Sequence, residues 1–283
     1  MPELPEVETI KRGLSKFIVE KTIVKTEILC EKSFVGPVEL TEGQKIVGIT
    51  RRGKALLIEL ANGITMMIHL RMTGQLIYRG EESYAGGHPS ENFVAELPNK
   101  QTRVIFEFND GTHLYFNDQR KFGFVKLIPN SEIDDDPFIA KLAPEPWDMP
   151  LEQFTTNLNR HKNSCIKATI LDQSVIAGVG NIYADEALFA TKIHPERLSG
   201  SLTEPEIKNL LANIAKVMDA SINSGGSTMA TYVRADGTRG DYLEKFAQVF
   251  RREGEPCPCC GTEIKKIRVA GRGTHICPEC QRF

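Results

Sequence analysis

Hydrophobic positions change their spacing along the chain, and this change predicts two regions of different structure. Val7, Ile10 and Leu14 recur at helical spacing, which predicts an amphipathic helix over residues 4–18. Farther along, short apolar runs flank Asn62-Gly63 and Asp110-Gly111, which favour tight hairpin turns and hence an antiparallel sandwich or barrel. Strands are predicted at residues 45–50, 54–60, 64–70, 103–108, 112–116 and 122–128.

Beyond residue 150 the spacing is helical. The last predicted helix begins at a Thr203-x-x-Glu206 capping box and ends before Gly225-Gly226. Residues 129–150 are acidic and rich in proline, as in a connection between domains, and residues 226–244 lack a clear period, as in a long loop. Helices are predicted at residues 151–159, 165–173, 181–192 and 203–223. The predicted organisation is a β-rich domain at 2–128, a linker at 129–150, a helical domain at 151–244 and a metal-binding module at 245–283.

With 283 residues, 41% of them hydrophobic and 25% charged, the chain has the composition of a folded protein of about two domains. Its apolar runs are far shorter than the roughly 20 residues of a membrane span, and its acidic start is unlike a secretion signal. We therefore expect a cytoplasmic protein with no membrane partner. The net charge of -2 argues mildly against a nucleic-acid partner, but residues 245–283 hold 8 Lys and Arg against 4 Glu, which forms a local basic patch.

Five of the seven cysteines lie in this basic tail, and four of them have the spacing of a metal site. Cys257-x-x-Cys260 is followed, after sixteen residues, by Cys277-x-x-Cys280, the spacing with which two turns present four thiolates to one zinc ion. Cys259 is interpreted as a bystander because only Cys260 keeps the symmetric spacing. The alternative is a redox pair. The sequence predicts one structural zinc ion.

Proline and acidic residues surround the start of the first helix. Glu3 and Glu6 complement the helix dipole there, and the missing N–H of Pro2 costs little at a helix start. Lys54 likewise fits a solvated lysine at the end of a strand. Taken alone, these residues favour a structural role over a chemical one.

Four motifs in order along the whole chain point to a known enzyme family. They are MPELPEVET at the start, DQRKFG at 118–123, VGNIYADEALF at 179–189 and the four-cysteine finger. Together they resemble the formamidopyrimidine-DNA glycosylase family. The endonuclease VIII branch of the same superfamily is the alternative, but its start typically reads PEGPE, and Leu4 stands here at the position of that glycine.

The resemblance implies an N-terminal helix with an antiparallel β-sandwich, a helix-two-turn-helix domain and a zinc-finger β-hairpin. It also implies that Pro2, freed by removal of Met1, is the nucleophile, and a free α-amine with a pKa near 8 is partly neutral at pH 7. Glu3 is the implied general acid and Glu6 a positioning group. The resemblance also implies that Lys54 acts in base release and elimination, and that Arg272 holds a phosphate and donates a proton in the second elimination.

The resemblance further implies how the DNA is held. Met72, Arg120 and Phe122 match residues that fill the gap left when a nucleotide is flipped out of the stack. The alternative for Met72 and Phe122 is an ordinary position in the core of the sheet. Asn181, at a predicted helix start, matches a phosphate contact. The full set of implied DNA-binding residues is His69, Met72, Gln101, Arg120, Phe122, Lys162 and Asn181.

Two departures from the family pattern concern DNA contacts. Gln101 stands where many members carry a histidine, and Phe250-Arg251 replaces Tyr-Gly, which removes a hydroxyl and adds a charge. Neither departure touches the implied catalytic residues. The loop at 226–244 resembles the segment that closes over the flipped base. It supplies the candidates for recognition of the flipped base, which are Met229, Thr231, Tyr232 and Arg234.

The resemblance implies a monomeric DNA glycosylase and abasic-site lyase that acts on 8-oxoguanine and formamidopyrimidines in duplex DNA and also binds abasic sites. Three alternatives remain open from the sequence. They are an enzyme for oxidised pyrimidines, a non-catalytic module that binds damaged DNA, and a zinc-ribbon protein that binds RNA or protein.

Overall fold

The computed structural model describes residues 1–88, 90, 92, 95–226 and 242–283, and these residues divide into two units. The first unit holds Met1–Ala140 together with residues 225 and 226. The second holds Lys141–Ser224 and Tyr242–Phe283, so the cysteine-rich tail belongs to the same unit as the long helices. The division between the units falls inside the segment 129–150.

Helix α1 opens the first unit and spans Leu4–Ile18, as predicted. Glu3 and Glu6 form a reciprocal capping box at its start, in which each side chain accepts the backbone N–H of the other residue. The apolar stripe of the helix, including Ile10 and Leu14, is fully buried. The helix contacts several strands of the sheet, most extensively β7 and β3 (defined below).

Ten strands follow α1 in the described part of the first unit: β1 (Thr22–Ile28), β2 (Phe34–Val35), β3 (Gln44–Arg52), β4 (Ala55–Leu60), β5 (Ile64–His69), β6 (Gly74–Arg79), β7 (Ser83–Gly87), β8 (Thr102–Phe108), β9 (His113–Asp118) and β10 (Phe124–Pro129). Their order in the sheet is β2-β10-β5-β4-β3-β1-β8-β9-β6-β7. All neighbours are antiparallel except β2 and β10. Both halves of this sheet share one hydrophobic core with α1, which confirms the predicted fold class.

All six predicted strands are present. The prediction missed β1, β2, β6 and β7. Three of them have weak patterns: β2 has two residues, β7 reads SYAGG, and β1 leaves Val24 exposed. Strand β6 was missed although it holds the apolar run Leu76-Ile77-Tyr78. The prediction of a strand over 122–128 was wrong at its start, since β10 begins at Phe124. The N–H groups of Phe122 and Gly123 donate instead to the Asp118 carboxylate.

The second unit contains the remaining helices and the finger. Its elements are α2 (Leu151–Arg160), α3 (Ile166–Leu171), α4 (Asn181–Ala190), α5 (Glu204–Asn223), the short α6 (Tyr242–Lys245), and the strands β11 (Lys265–Val269) and β12 (Arg272–Ile276). Helices α2 to α5 confirm the four predicted ones and surround one core that includes Phe154, Tyr183 and Leu210. Strands β11 and β12 form a hairpin whose turn residues, Ala270 and Gly271, have φ values of 47° and 77°.

Across the described ranges, no helix has the length and apolar character needed to cross a membrane.

Candidate active site and DNA-binding residues

The catalytic candidates near the chain start are buried and tied to each other. Pro2 is buried, and Glu3 and Glu6 are only 3% and 6% exposed. The Glu3 N–H donates to Glu6 Oε2 over 2.8 Å. A side chain added at Gly226 would place its Cβ 3.7 Å from Glu6 Oε1, so the start of the segment 226–244 lies beside this pair. The remainder of that segment, including Met229, Thr231, Tyr232 and Arg234, lies outside the described residues.

Glu8 connects this helix to the turn that carries Lys54. Its carboxylate accepts hydrogen bonds from Arg12 Nε (2.8 Å) and Arg51 Nε (3.1 Å), and an Arg51 Nη1 donates to the Gly53 carbonyl (3.0 Å). Burial acts to raise the pKa of Glu8, but the hydrogen bonds from the surrounding cations hold it at about 2. Sequence reasoning missed Glu8, because its partner Arg51 is 43 residues away.

Lys54 and His69 are brought together by the sheet. Lys54 is only 7% exposed and precedes Ala55, which pairs directly with His69 across β4 and β5. Burial, together with the positive charges of Arg71 and Lys54, lowers the pKa of His69 to about 3. His69 is therefore neutral at pH 7, and its Nδ1 accepts the N–H of Arg71 over 3.0 Å. A buried lysine beside a neutral imidazole is suited to proton transfer.

The three candidates for filling a gap in DNA are exposed on two loops of the first unit. Met72 is 40% exposed and Phe122 is 51% exposed, so the alternative of core positions is wrong for both. The guanidinium carbon of Arg120 lies 4.8 Å from the centre of the Phe122 ring. Large apolar side chains beside a cation, exposed on a protein surface, are typical of a binding surface.

Two other DNA-binding candidates differ in their accessibility. Gln101 is half-buried, and its Oε1 accepts the side-chain amide of Asn92 over 2.7 Å. The Gln101 N–H also donates to Asn99 Oδ1, which makes this glutamine part of an amide network. Lys162 lies exposed just after α2, where its N–H donates to the Asn159 carbonyl and its carbonyl accepts the Gly200 N–H.

In the second unit Asn181 contacts the finger hairpin. Asn181 is the first residue of α4, and its Nδ2 donates to the Gly273 carbonyl over 3.0 Å, next to the exposed Arg272. Lys167 and Asp185 form a buried ion pair (2.5 Å), and Lys167 Nζ also donates to Thr274 Oγ1 (2.7 Å). Asp185 accepts the His275 N–H (2.9 Å), so the buried pair fixes β12 on either side of Thr274. Sequence reasoning missed this pair; the hydrophobic face pattern of α3 gives no signal for a buried lysine.

A cavity of about 490 Å³ opens between the start of α4 and the finger. Positive and polar side chains line it: Asn181, Arg251, Lys266 and His275, with Phe250 and Glu253. Lys266 Nζ lies 3.1 Å from Glu253 Oε1, whereas Arg251 pairs with no carboxylate in the described part of the chain. Arg251 also has a φ of 62°, the left-handed conformation that favours glycine.

The four predicted zinc ligands form one cluster. The Sγ atoms of Cys257, Cys260, Cys277 and Cys280 all lie within 4.8 Å of one another. A zinc ion with four ligands at about 2.3 Å requires sulfur atoms roughly 3.8 Å apart. The distances of 3.9 Å for Cys257–Cys280 and 3.4 Å for Cys260–Cys277 fit this requirement and exceed a disulfide bond. Cys259 is exposed and outside the cluster. The finger therefore holds one structural zinc ion.

Three protein-family models match consecutive parts of the chain. They are the formamidopyrimidine-DNA glycosylase N-terminal domain (residues 1–125), the formamidopyrimidine-DNA glycosylase H2TH domain (142–233) and a zinc finger found in FPG and IleRS (254–282). Together they cover both units and the cysteine cluster.

Relatives and solved structures agree with these matches. The chain is 41% identical over 287 residues to a formamidopyrimidine-DNA glycosylase of Ligilactobacillus salivarius, covering 99% of each chain, and 41% identical to one of Pelotomaculum thermopropionicum, covering 100% of this chain and 99% of the relative. A structure of the Lactococcus lactis enzyme with DNA that contains an AP site has 33% identity, a TM-score of 0.86 and full coverage of both chains. Another, with DNA that contains Fapy-dG, has 34% identity and a TM-score of 0.86, and covers 99% of this chain and 100% of its own.

The fold and the zinc finger thus define a DNA-repair enzyme of the base excision type. The chain belongs to the formamidopyrimidine-DNA glycosylase family.

Proposed function

We propose that this protein removes oxidised purines, 8-oxoguanine and formamidopyrimidines, from duplex DNA and then cleaves the strand at the abasic site. The observation that carries the proposal is the buried Pro2, which directly precedes the reciprocal Glu3–Glu6 capping box. The Lactococcus lactis relatives bind DNA with an abasic site or Fapy-dG, and the same two ligands are proposed for this chain.

Pro2 is the proposed nucleophile once Met1 has been removed. Its secondary amine attacks the sugar C1′, the glycosidic bond breaks, and the base leaves with the bonding electron pair. Glu3 protonates the ring oxygen, so the sugar opens and an iminium ion forms. The iminium nitrogen has no proton to lose and stays cationic. It therefore draws electrons during elimination of the 3′ phosphate and then of the 5′ phosphate.

Lys54, Glu6 and Arg272 support these steps in the proposal. Lys54 lies buried beside the neutral His69, where it assists base release and elimination. Glu6 accepts the Glu3 N–H and so fixes the backbone that follows the nucleophile. Arg272 binds the phosphate and donates the proton of the second elimination; the zinc and the hairpin turn fix its backbone.

Met72, Arg120 and Phe122 are proposed to fill the gap that the flipped nucleotide leaves. Phe122 and Met72 replace lost stacking, and Arg120 hydrogen-bonds the orphaned cytosine. Their exposure on the first unit supports this role. Asn181 is proposed to contact a phosphate, and His69, Lys162 and Gln101 are proposed as further DNA-binding residues. The 4% exposed His69 and the engaged Gln101 side chain are expected to contribute less than the more accessible Lys162 and Asn181.

The domain limits and location follow from the same proposal. Residues 2–128 form the catalytic domain, 129–150 the linker, 151–244 the DNA-binding domain with its capping loop, and 245–283 the zinc finger. The protein acts as a monomer in the cytoplasm.

The test is borohydride trapping on a duplex with one 8-oxoguanine opposite cytosine. We expect a covalent adduct on residue 2 of the mature chain, located by mass spectrometry and absent in Pro2→Gly. If Met1 is shown to be absent and neither the lesion nor an abasic site is trapped, the protein is a DNA-binding module instead. Faster release of thymine glycol than of 8-oxoguanine identifies an oxidised-pyrimidine enzyme.

A further inference from the structure

Two loops of the first unit run side by side because of the strand order. Residues 70–73 join β5 to β6, and residues 119–123 join β9 to β10. Strands β5 and β10 pair with His69 opposite Phe124, and strands β6 and β9 pair with Gly74 opposite Asp118. Each loop therefore begins and ends beside the other, and the first carries Met72 while the second carries Arg120 and Phe122.

One carboxylate organises the second loop. Asp118 is fully buried, and its Oδ2 accepts the N–H groups of Phe122 (2.8 Å) and Gly123 (2.7 Å). Its Oδ1 accepts the N–H of Arg120 (3.1 Å) and the hydroxyl of Thr73. No Lys or Arg forms an ion pair with it anywhere in the described ranges. Three backbone N–H groups and one hydroxyl thus solvate the buried carboxylate. The backbone of Arg120, Phe122 and Gly123 is held in place by this one side chain.

Thr73 connects the two loops. Its hydroxyl donates to the Asp118 carboxylate and accepts the Arg120 N–H over 3.0 Å. Thr73, which follows Met72 on the first loop, is thus bonded to two residues of the second loop region. The packing there leaves little room for adjustment. A Cβ at Gly123 would lie 2.9 Å from the His69 carbonyl oxygen and from the Phe116 ring.

We propose that Thr73 and Asp118 are positioning residues that hold Met72, Arg120 and Phe122 as one preformed wedge for duplex DNA. This inference rests on the proposed function, in which Met72, Arg120 and Phe122 fill the gap left by the flipped nucleotide. A wedge that is already ordered loses less conformational entropy when it enters the base stack than two independent loops would lose. The hydroxyl of Thr73 is the element that makes the two loops one unit.

The discriminating variant is Thr73→Val, which keeps the shape of the side chain and removes the hydroxyl, with Thr73→Ser as the matched control that retains it. We expect Thr73→Val to lose roughly tenfold in the rate of 8-oxoguanine excision opposite cytosine, because bonds to a buried charge are lost. Cleavage of an abasic site in single-stranded DNA, where no base pair must be opened, is expected to change less than about twofold. Thr73→Ala serves as a second variant without the hydroxyl.

A fluorescence readout follows the wedge itself. A 2-aminopurine placed beside the orphaned cytosine brightens when the wedge unstacks it, and we expect a slower and smaller rise with Thr73→Val but not with Thr73→Ser. The inference is overturned if Thr73→Val matches the wild type on duplex DNA, if both substrates lose activity equally, or if Thr73→Ser is equally impaired. Failure of the wild type to cleave or be trapped on either substrate overturns the proposed function itself.

Discussion

The first unit and the finger both present an arginine from a tight turn, but they fix the turn by different means. Arg120 lies on a loop whose backbone N–H groups converge on the Asp118 carboxylate. Arg272 lies on a hairpin fixed by four cysteines and by the buried Lys167–Asp185 pair. The first arrangement depends on hydrogen bonds from the loop's own backbone and on one hydroxyl, that of Thr73, from the neighbouring loop. The second depends on a metal ion and on side chains of two helices, since Asp185 of α4 and Lys167 of α3 bond to residues 90 and 107 positions farther along the chain. The order of the finger therefore depends on an ion that can be removed.

Removal of zinc is expected to have the largest effect, because it should unfold the hairpin that carries Arg272 and leave the loop that carries Arg120 intact. Structural zinc contributes on the order of 10 kcal/mol to the folding of small modules, so the finger should unfold locally when a chelator or Cys277→Ser removes the ion. Hydrogen exchange is expected to show lost protection in 254–282 and unchanged protection in α1 and the sheet. Cys259→Ser, outside the cluster, is the control and should behave as the wild type. Loss of protection across the whole sheet contradicts the independence of the first unit.

Glu3→Gln separates chemistry from structure at the start of α1. Glutamine keeps an oxygen that can accept the Glu6 N–H, but it cannot donate a proton to the sugar ring. The excision rate should fall by about 10² to 10⁴, the usual contribution of general acid catalysis, while the melting temperature changes little. Single-turnover kinetics and a thermal melt measure the two quantities. A large drop in melting temperature with little change in rate points to a purely structural Glu3.

Lys167→Met tests the buried pair that fixes the finger hairpin. It leaves Asp185 charged and without its cation, which typically costs about 3–5 kcal/mol. Denaturant unfolding is expected to show this loss in the second unit. DNA binding should weaken as the Gly273 and Thr274 contacts relax. The double variant Lys167→Met with Asp185→Asn, which keeps an oxygen to accept the His275 N–H, is expected to recover most of the stability. A double variant as unstable as the single one argues against an uncompensated charge as the cause.

His69 should make the first unit sensitive to acid. Its pKa is about 3 in the folded chain and about 6.5 when unfolded, so the unfolded state binds more protons between these values. The stability contribution is present above pH 6.5 and is lost as pH falls toward 3, by about 2–3 kcal/mol at pH 4.5. Glu8, with a pKa of about 2, contributes in the same direction below pH 4.5. In His69→Gln the decline between pH 6.5 and 4.5 should be shallower; an identical decline rules out a neutral buried His69.

The sequence predicted elements better than the contacts that hold them. Strong periodicity gave α1 and the four longer helices, and cysteine spacing gave the zinc cluster, because both are local signals. Asp118, Glu8 and Lys167 were missed. Each acts through partners that the sheet order or helix packing brings together, such as Glu8 with Arg51. Alternation of apolar residues also could not predict that Phe122 is exposed. Its N–H donates to the Asp118 carboxylate instead of to a neighbouring strand, so β10 begins only at Phe124.

Substitution of Arg251 should have the smallest effect. It separates the contribution of the backbone conformation to stability from the contribution of the charge to DNA binding. The Arg251 φ of 62° costs a non-glycine residue roughly 1 kcal/mol, so Arg251→Gly is expected to stabilise the second unit by about that amount. If the guanidinium contacts a DNA phosphate from the cavity beside Asn181, the variant also loses about one counterion in the salt dependence of binding. Arg252→Gln, at a residue paired with Glu255, is the control and should leave the salt dependence unchanged. Gained stability with an unchanged salt slope assigns Arg251 no phosphate and leaves Arg272 and Asn181 as the proposed phosphate contacts of the second unit.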